Sequence, residues 1–463
     1  MNLRRWLTPG IGIKRWLLVV FAGLLLLALA VAHVIRQVTR DVQPGPATQV
    51  AIDLVTLQFL PYPLRGLLVG VVGGGLVVLG AVRLIRAFMA PFRSGDVDQP
   101  LVEVIYQKRF LARGPKIVAI GGGTGLSTLL RGLKEHTSNL TAVVTVADDG
   151  GSSGVLRNEL GIPPVGDIRN CIVALADAEP LMSQLLQYRF PGIDGAADAS
   201  LLSGDAGDEA DDGSHGVRPH QTGLRGHAVG NLLIAAMCAI EDGDFEEGVR
   251  RMNRVLAVRG QVVPVSPTPL TLHARLRDGT VLEGQSRIAR AEGIERVWLT
   301  PDDVAASADA IAAIADADLI VLGPGSLYTS LLPSLLLPQI RDAVATSPAL
   351  RVFVCNVATQ RGETAGYDLA DHLEALTAHA KPGLIDVVLA NNHFAARVPR
   401  DWTAEPVRLR WPPAAAAPPR LVLDDVVDPA FAHHHDPERL AAAIFRVYER
   451  EGQRRRAGVA RSA

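Results

Sequence analysis

Five short stretches of this chain carry residue types suited to holding an anion or a polyol. The first, Gly121-Gly122-Gly123-Thr124-Gly125, follows the apolar run Lys116 to Ile120 and precedes Leu126 to Leu133. Glycines there let a phosphate approach backbone N–H groups at a helix start, where the helix dipole favours negative charge. The second, Asp148-Asp149-Gly150-Gly151-Ser152-Ser153-Gly154, reads as a loop with two carboxylates and two hydroxyls. Such a loop accepts sugar hydroxyls or holds a metal. An acidic residue roughly 20 positions past the glycines is also where a dinucleotide fold grips a ribose diol.

The third stretch is Gly166-Asp167-Ile168-Arg169-Asn170. Asp167 reads as a helix N-cap, which leaves Arg169 for a phosphate or carboxylate. The fourth, Gly226-His227-Ala228-Val229-Gly230-Asn231, opens the apolar helix Leu232 to Ile240 and points His227 and Asn231 at one crevice. The fifth, Gly323-Pro324-Gly325-Ser326-Leu327-Tyr328-Thr329-Ser330, follows the strand Leu319 to Leu322 as the first stretch follows its own strand. Asn356, Thr359, Gln360, Arg361, Gly362 and Glu363 come after the next strand, at the same edge. Each stretch has a bland alternative as a polar turn. Leu126 stands where G-x-G-x-x-G needs its third glycine, and no G-K-[ST] ending or Ser-His-Asp order is present, which disfavours an ATPase. On these residues alone an NAD-dependent dehydrogenase remains open.

The elements that must position these residues alternate. Short continuous apolar runs at Lys116 to Ile120, Leu140 to Val146, Leu319 to Leu322, Arg351 to Cys355 and Asp386 to Leu389 read as buried parallel strands. Helical stretches such as Pro301 to Ala315 and Tyr367 to Ala378 lie between them. That order gives an α/β fold, a doubly wound, mostly parallel Rossmann-like sheet. The segment Gln261 to Glu283, with its Asp278-Gly279 turn, reads as an attached antiparallel hairpin.

The remaining sequence sets the surroundings. Residues 1–92 read as a membrane anchor of two helices, about 16–35 and 66–85, each long enough to span a bilayer. The basic residues outside the pair place both chain ends in the cytoplasm, with the protein multi-pass in the cell membrane. A linker covers 93–115, the globular domain 116–449, and a basic, small-residue tail 450–463. Within the domain, 194–219 is acidic and glycine-rich and reads as a solvated insertion. His215 lies in it and His220 just past it, without ligand-like spacing, and His433-His434-His435 carries the same reading. A net charge of −2 argues neither for nucleic acid nor for an acidic substrate, and no nucleic acid is expected as a partner. The three cysteines, Cys171, Cys238 and Cys355, lie in apolar stretches and read as buried thiols in a reducing compartment.

The five stretches together, in this order, resemble the YvcK/CofD family of gluconeogenesis factors and 2-phospho-L-lactate transferases. The resemblance spans about Lys116 to Tyr448. It is closer to the YvcK branch, through Asp148 to Gly154 and Asn356 to Glu363. It implies a regulatory protein that binds a UDP-sugar such as UDP-N-acetylglucosamine and affects cell shape and carbon use, with a homo-oligomer or a cell-envelope protein as possible partners. The transferase branch implies instead transfer from a guanylated donor, with magnesium. Catalytic and metal-binding residues are not assigned by the resemblance. The expected ligand site is Gly121, Gly122, Gly123, Thr124, Gly125, Asp148, Asp149, Gly150, Gly151, Ser152, Ser153, Asp167, Arg169, Asn170, His227, Asn231, Gly323, Pro324, Gly325, Ser326 and Tyr328. The chain departs from the YvcK pattern in its N-terminal hairpin, its acidic insertion, and His434 where the family has an arginine before His435-Asp436-Pro437.

Overall fold

The computed structural model describes residues 111–176, 180–191, 223–393, 404–411 and 419–462, with Leu24, Ala28, Pro61 and Leu64 as isolated positions. The expected membrane hairpin, most of the linker and the acidic insertion with His215 and His220 lie outside the described residues. Among the described residues no helix is long and apolar enough to cross a membrane.

The domain opens with β1 (Ile117–Gly121), α1 (Gly123–Leu133) and β2 (Leu140–Val144). Next come α2 (Gly151–Leu160), α3 (Gly166–Leu175), α4 (Pro180–Gln187), α5 (Val229–Ile240), α6 (Phe245–Val255) and β3 (Gln261–Pro264). β4 (Thr271–Leu276), β5 (Val281–Glu283), α7 (Gln285–Ile288) and β6 (Ile294–Thr300) follow. Then come α8 (Ala308–Ala315), β7 (Leu319–Leu322), a π turn at Leu327–Leu331, α9 (Leu332–Leu336) and α10 (Pro338–Thr346). β8 (Leu350–Val354), α11 (Leu369–His379), β9 (Val387–Asn391), β10 (Arg420–Asp424) and α12 (Pro437–Ser462) complete the chain.

Seven strands form one sheet in the order β10-β9-β8-β7-β1-β2-β3. Every pairing in it is parallel. Residues of β1, β7 and β9 are buried along their whole length. This is why those strands read as continuous apolar runs rather than alternating ones. Chain order runs outward from β1 to β3 on one side and from β7 to β10 on the other. The switch point therefore lies between β1 and β7, and a doubly wound sheet opens its binding crevice at the carboxyl ends of such strands. Both glycine stretches end strands at this point, as the sequence implied.

Several expectations need correction. The segment Gln261 to Glu283 is not one hairpin: β3 joins the parallel sheet beside β2, and only β4 and β5 form the antiparallel pair. A third strand, β6, completes a separate sheet in the order β5-β4-β6. The helix expected from Pro301 begins only at Ala308, where the Ser307 hydroxyl accepts from Ala310 N–H as its cap. The tail from Arg450 continues α12 as helix through Ser462. This helix lies directly on α1, where Gly132 leaves no room for a Cβ against the Pro437 carbonyl.

Candidate functional site

The glycine-serine stretch after β2 is helix rather than loop: Gly151 opens α2, with Ser152 and Ser153 in its first turn. Ser152 ties this turn to the start of α5. Its Oγ lies 3.0 Å from His227 Nδ1, and Asn231 Nδ2 donates to it at 3.0 Å. Ser153 ties the same turn to α3, accepting from the Gly166 N–H at 3.0 Å. The amino ends of α2, α3 and α5 thus meet, and their dipoles sum to a positive local field. All four polar side chains at the junction are buried: Ser152, Ser153, His227 and Asn231. Asp148 lies just ahead of the same turn, accepting from the N–H of the N-cap Gly150 at 2.9 Å. Burial pushes its carboxyl above the usual range, while the Gly150 amide and the Ser153 hydroxyl pull it back.

Asp167 does not cap α3, whose N-cap position is Val165. Its carboxylate instead lies against the first glycine stretch, 2.5 Å from where a Gly122 Cβ would stand. Arg169, on the same turn of α3, is only 7 % exposed. Its Nη2 donates to Asn170 Oδ1 at 2.8 Å, while Nε and Nη1 are buried without any acceptor. Burial, with the nearby Arg189 cation, lowers its pKa to about 10 against the opposing pull of Asp167 and Asp148. Gly230 makes the space: a Cβ there would come within 2.9 Å of the Arg169 Cγ and Cδ.

The two glycine stretches touch backbone to backbone. A Cβ on Gly125 would lie 2.7 Å from the Pro324 carbonyl oxygen and 2.8 Å from the Gly325 Cα. Gly123 has φ +64°, and a Cβ there would make only ordinary contact, 3.8 Å from Ser330 Oγ, so glycine is required there by conformation and not by crowding. The second stretch does not offer all its amides to a ligand. Gly325 N–H donates to Asn356 Oδ1, and Tyr328 N–H to buried Glu363. Gln360 Nε2 holds the Ser326 hydroxyl at 2.9 Å, and Tyr328 spends its own hydroxyl on Tyr367 at 2.9 Å. Residues 356–363, expected at this edge but not in the expected ligand set, therefore act as a brace behind the loop. Thr145, which the sequence did not single out, lies beneath Gly122 with its Oγ1 unpaired.

Asp149 reaches across to the small sheet's side of the crevice. Its Oδ1 accepts from Ser286 N–H at 2.8 Å, so it fastens α7 to the edge of the crevice. Among the described residues no group of three His, Cys, Asp or Glu side chains could hold a metal ion. His434 lies in the turn before α12, its ring 3.9 Å from that of His433. The neighbouring His435 is buried, with Nε2 3.3 Å from the Cys355 carbonyl at the end of β8. Two surface depressions of about 430 and 370 Å³ lie elsewhere, one lined by Glu405 to Leu409, the other at the amino ends of β1 to β3. The second lies at the opposite end of the strands from the glycine turns.

The model of the family 2-phospho-L-lactate transferase CofD matches residues 117–409, more than half of the chain. The gluconeogenesis factor of Bacillus subtilis is 47 % identical over 283 residues, which cover 61 % of this chain and 80 % of that protein. A Nostoc relative with a provisional gluconeogenesis-factor name is 42 % identical over 457 residues, 96 % of this chain and 92 % of its own. The crystal structure of a Bacillus halodurans protein aligns at a TM-score of 0.62 and 41 % identity, covering 72 % of this chain and 99 % of that one.

Proposed function

The chain belongs to the CofD/YvcK family, and from that membership we propose that it is a regulatory protein of the gluconeogenesis-factor branch that binds a nucleotide sugar, of UDP-N-acetylglucosamine type, in the crevice between β1 and β7. Its relatives in Bacillus subtilis and Nostoc carry gluconeogenesis-factor names. The observation that carries the ligand reading is the buried Arg169 guanidinium with two nitrogens unpaired. A buried cation without a partner is costly, and such groups mark sites completed by an anion. The three converging helix starts and the polar side chains around Ser152 suit a phosphate joined to hydroxyl-bearing rings.

The apolar runs at 16–35 and 66–85 make the protein a membrane-tethered one in this reading, with the domain on the cytoplasmic side. Roles in cell shape and carbon use follow from the YvcK-branch resemblance. A second reading, transfer from a guanylated donor with magnesium, is favoured by the description of the matching family. Against it, Asp148 and Asp149 each spend an oxygen on a backbone amide, Gly150 and Ser286 respectively.

A thermal-shift series on the full chain tests the proposal. A ligand that binds only the folded state stabilises it by about 2.7 kcal/mol at 100-fold excess over Kd. UDP-sugars should raise the midpoint, with GDP and NAD weaker. Magnesium-dependent turnover of a guanylated phospholactate donor would favour the transferase instead.

A further inference from the structure

Besides the Thr145 hydroxyl, two buried side chains in the crevice have atoms without hydrogen-bond partners, and they are of opposite sense. Arg169, 7 % exposed, presents Nε and Nη1 with no acceptor; Asn231, 1 % exposed, presents Oδ1 with no donor. Each stands in the first turn of its helix, Arg169 in α3 and Asn231 in α5. The helices are close at this point, since Gly230, next to Asn231, lies against the Arg169 Cγ and Cδ. The Asn231 Nδ2 donates to Ser152 Oγ, itself 3.0 Å from His227 Nδ1. The amide oxygen is thereby left for a ligand. Negative charge is already present at the first glycine stretch through the Asp167 carboxylate beside Gly122. An incoming anion is therefore answered at Arg169 rather than at Gly122 and Gly123.

A ligand that satisfies both orphans must carry acceptor oxygens and, next to them, an O–H or N–H donor. We propose that Arg169 and Asn231 form a subsite for a sugar 1-phosphate unit and read its C2 substituent. Phosphate oxygens accept from Arg169 Nε and Nη1, and the C2 hydroxyl or acetamido N–H donates to Asn231 Oδ1. This inference rests on the nucleotide-sugar reading and adds to it the position on the sugar that is recognised. Hydroxyl and acetamido sugars both qualify, while a sugar without a donor at C2 leaves the Asn231 oxygen buried and unpaired.

The test is calorimetric titration of the full-length chain with UDP-glucose, UDP-N-acetylglucosamine and UDP-2-deoxyglucose. Glucose 1-phosphate and 2-deoxyglucose 1-phosphate are run alongside. Each 2-deoxy compound should bind at least tenfold more weakly than its hydroxylated counterpart. Asn231→Ala should erase that difference, with thermal unfolding recorded to verify that the variant is folded. Affinities for UDP-glucose and UDP-2-deoxyglucose within twofold of each other would overturn the subsite and leave nucleotide-sugar binding standing. Discrimination between the two sugar phosphates without binding of any UDP-sugar would uphold the subsite and overturn the nucleotide reading. Absence of binding by all five would overturn both.

Discussion

Asn356 holds the Gly325 peptide from both sides, accepting from its N–H at 3.1 Å and donating to its carbonyl at 2.9 Å. One side chain at the end of β8 thus sets the conformation of the turn that ends β7. Because Gly125 packs on that same turn, the clamp also locates the first glycine stretch. Asn356→Ala removes both bonds from a partly buried site and should cost roughly 1–3 kcal/mol of stability. Asn356→Asp keeps the acceptor but sets a carboxylate oxygen against the Gly325 carbonyl, so it should destabilise as well. Chemical denaturation measures both losses, and an unaltered midpoint for Asn356→Ala would contradict the clamp.

The two neighbouring glycines should fail differently. Gly125→Ala drives a Cβ into the Pro324 carbonyl, a contact between two backbones with no flexible side chain to yield. It should cost about 1–3 kcal/mol or more through overpacking. Gly123→Ala meets only ordinary van der Waals contacts but must hold φ +64°, a strain of roughly 1–2 kcal/mol. Gly125→Ala should therefore lower the unfolding midpoint more than Gly123→Ala. The reverse order would mean that the loops do not touch as described.

The strands and the turns at their ends are legible in the sequence because buried parallel strands leave long apolar runs, and glycines at their ends mark the turns. The parts that resist reading are those where composition misleads or partners are distant in sequence. Gly151 to Gly154 looks like a loop by residue type, yet Ser152 and Ser153 are held helical by partners on α3 and α5. β6 is hidden because Glu295 and Arg296, both exposed, interrupt its apolar pattern. Asp167 has a plausible local role as an N-cap, but Val165 holds that position and the Asp167 carboxylate lies against Gly122 instead. That Asn356 and Glu363 occupy the second loop's amides cannot be read from spacing, since the pairs lie 31 and 35 residues apart.

Acid should unfold the domain partly through His435. Its burial, with a smaller push from His434, depresses its pKa from 6.5 to about 4, and the Cys355 carbonyl opposes this only in part. Between those values the unfolded chain binds a proton that the folded chain refuses. Stability is therefore full above pH 6.5 and falls as pH drops toward 4, by roughly 3 kcal/mol from this residue. His372 and His379 are depressed by burial in the same direction and add to the slope. His435→Gln, which cannot titrate, should flatten the pH dependence of the denaturation midpoint over this window. An unchanged slope would place the acid sensitivity elsewhere.

Nucleotide-sugar binding itself stands or falls with Arg169. Burying its unpaired charge costs the free protein roughly 3 kcal/mol by the lowering of its pKa from 12.5 to about 10. Arg169→Met, of similar length and without the charge, should therefore leave the ligand-free protein as stable as the wild type or more so. Calorimetric titration of both full-length proteins with UDP-N-acetylglucosamine then separates fold from function. The wild type should bind and the variant should bind at least 100-fold more weakly, a loss of about 2.7 kcal/mol. A variant that retains wild-type affinity would remove Arg169 from the site, and a folded wild type that binds no nucleotide sugar at all would refute the proposed function.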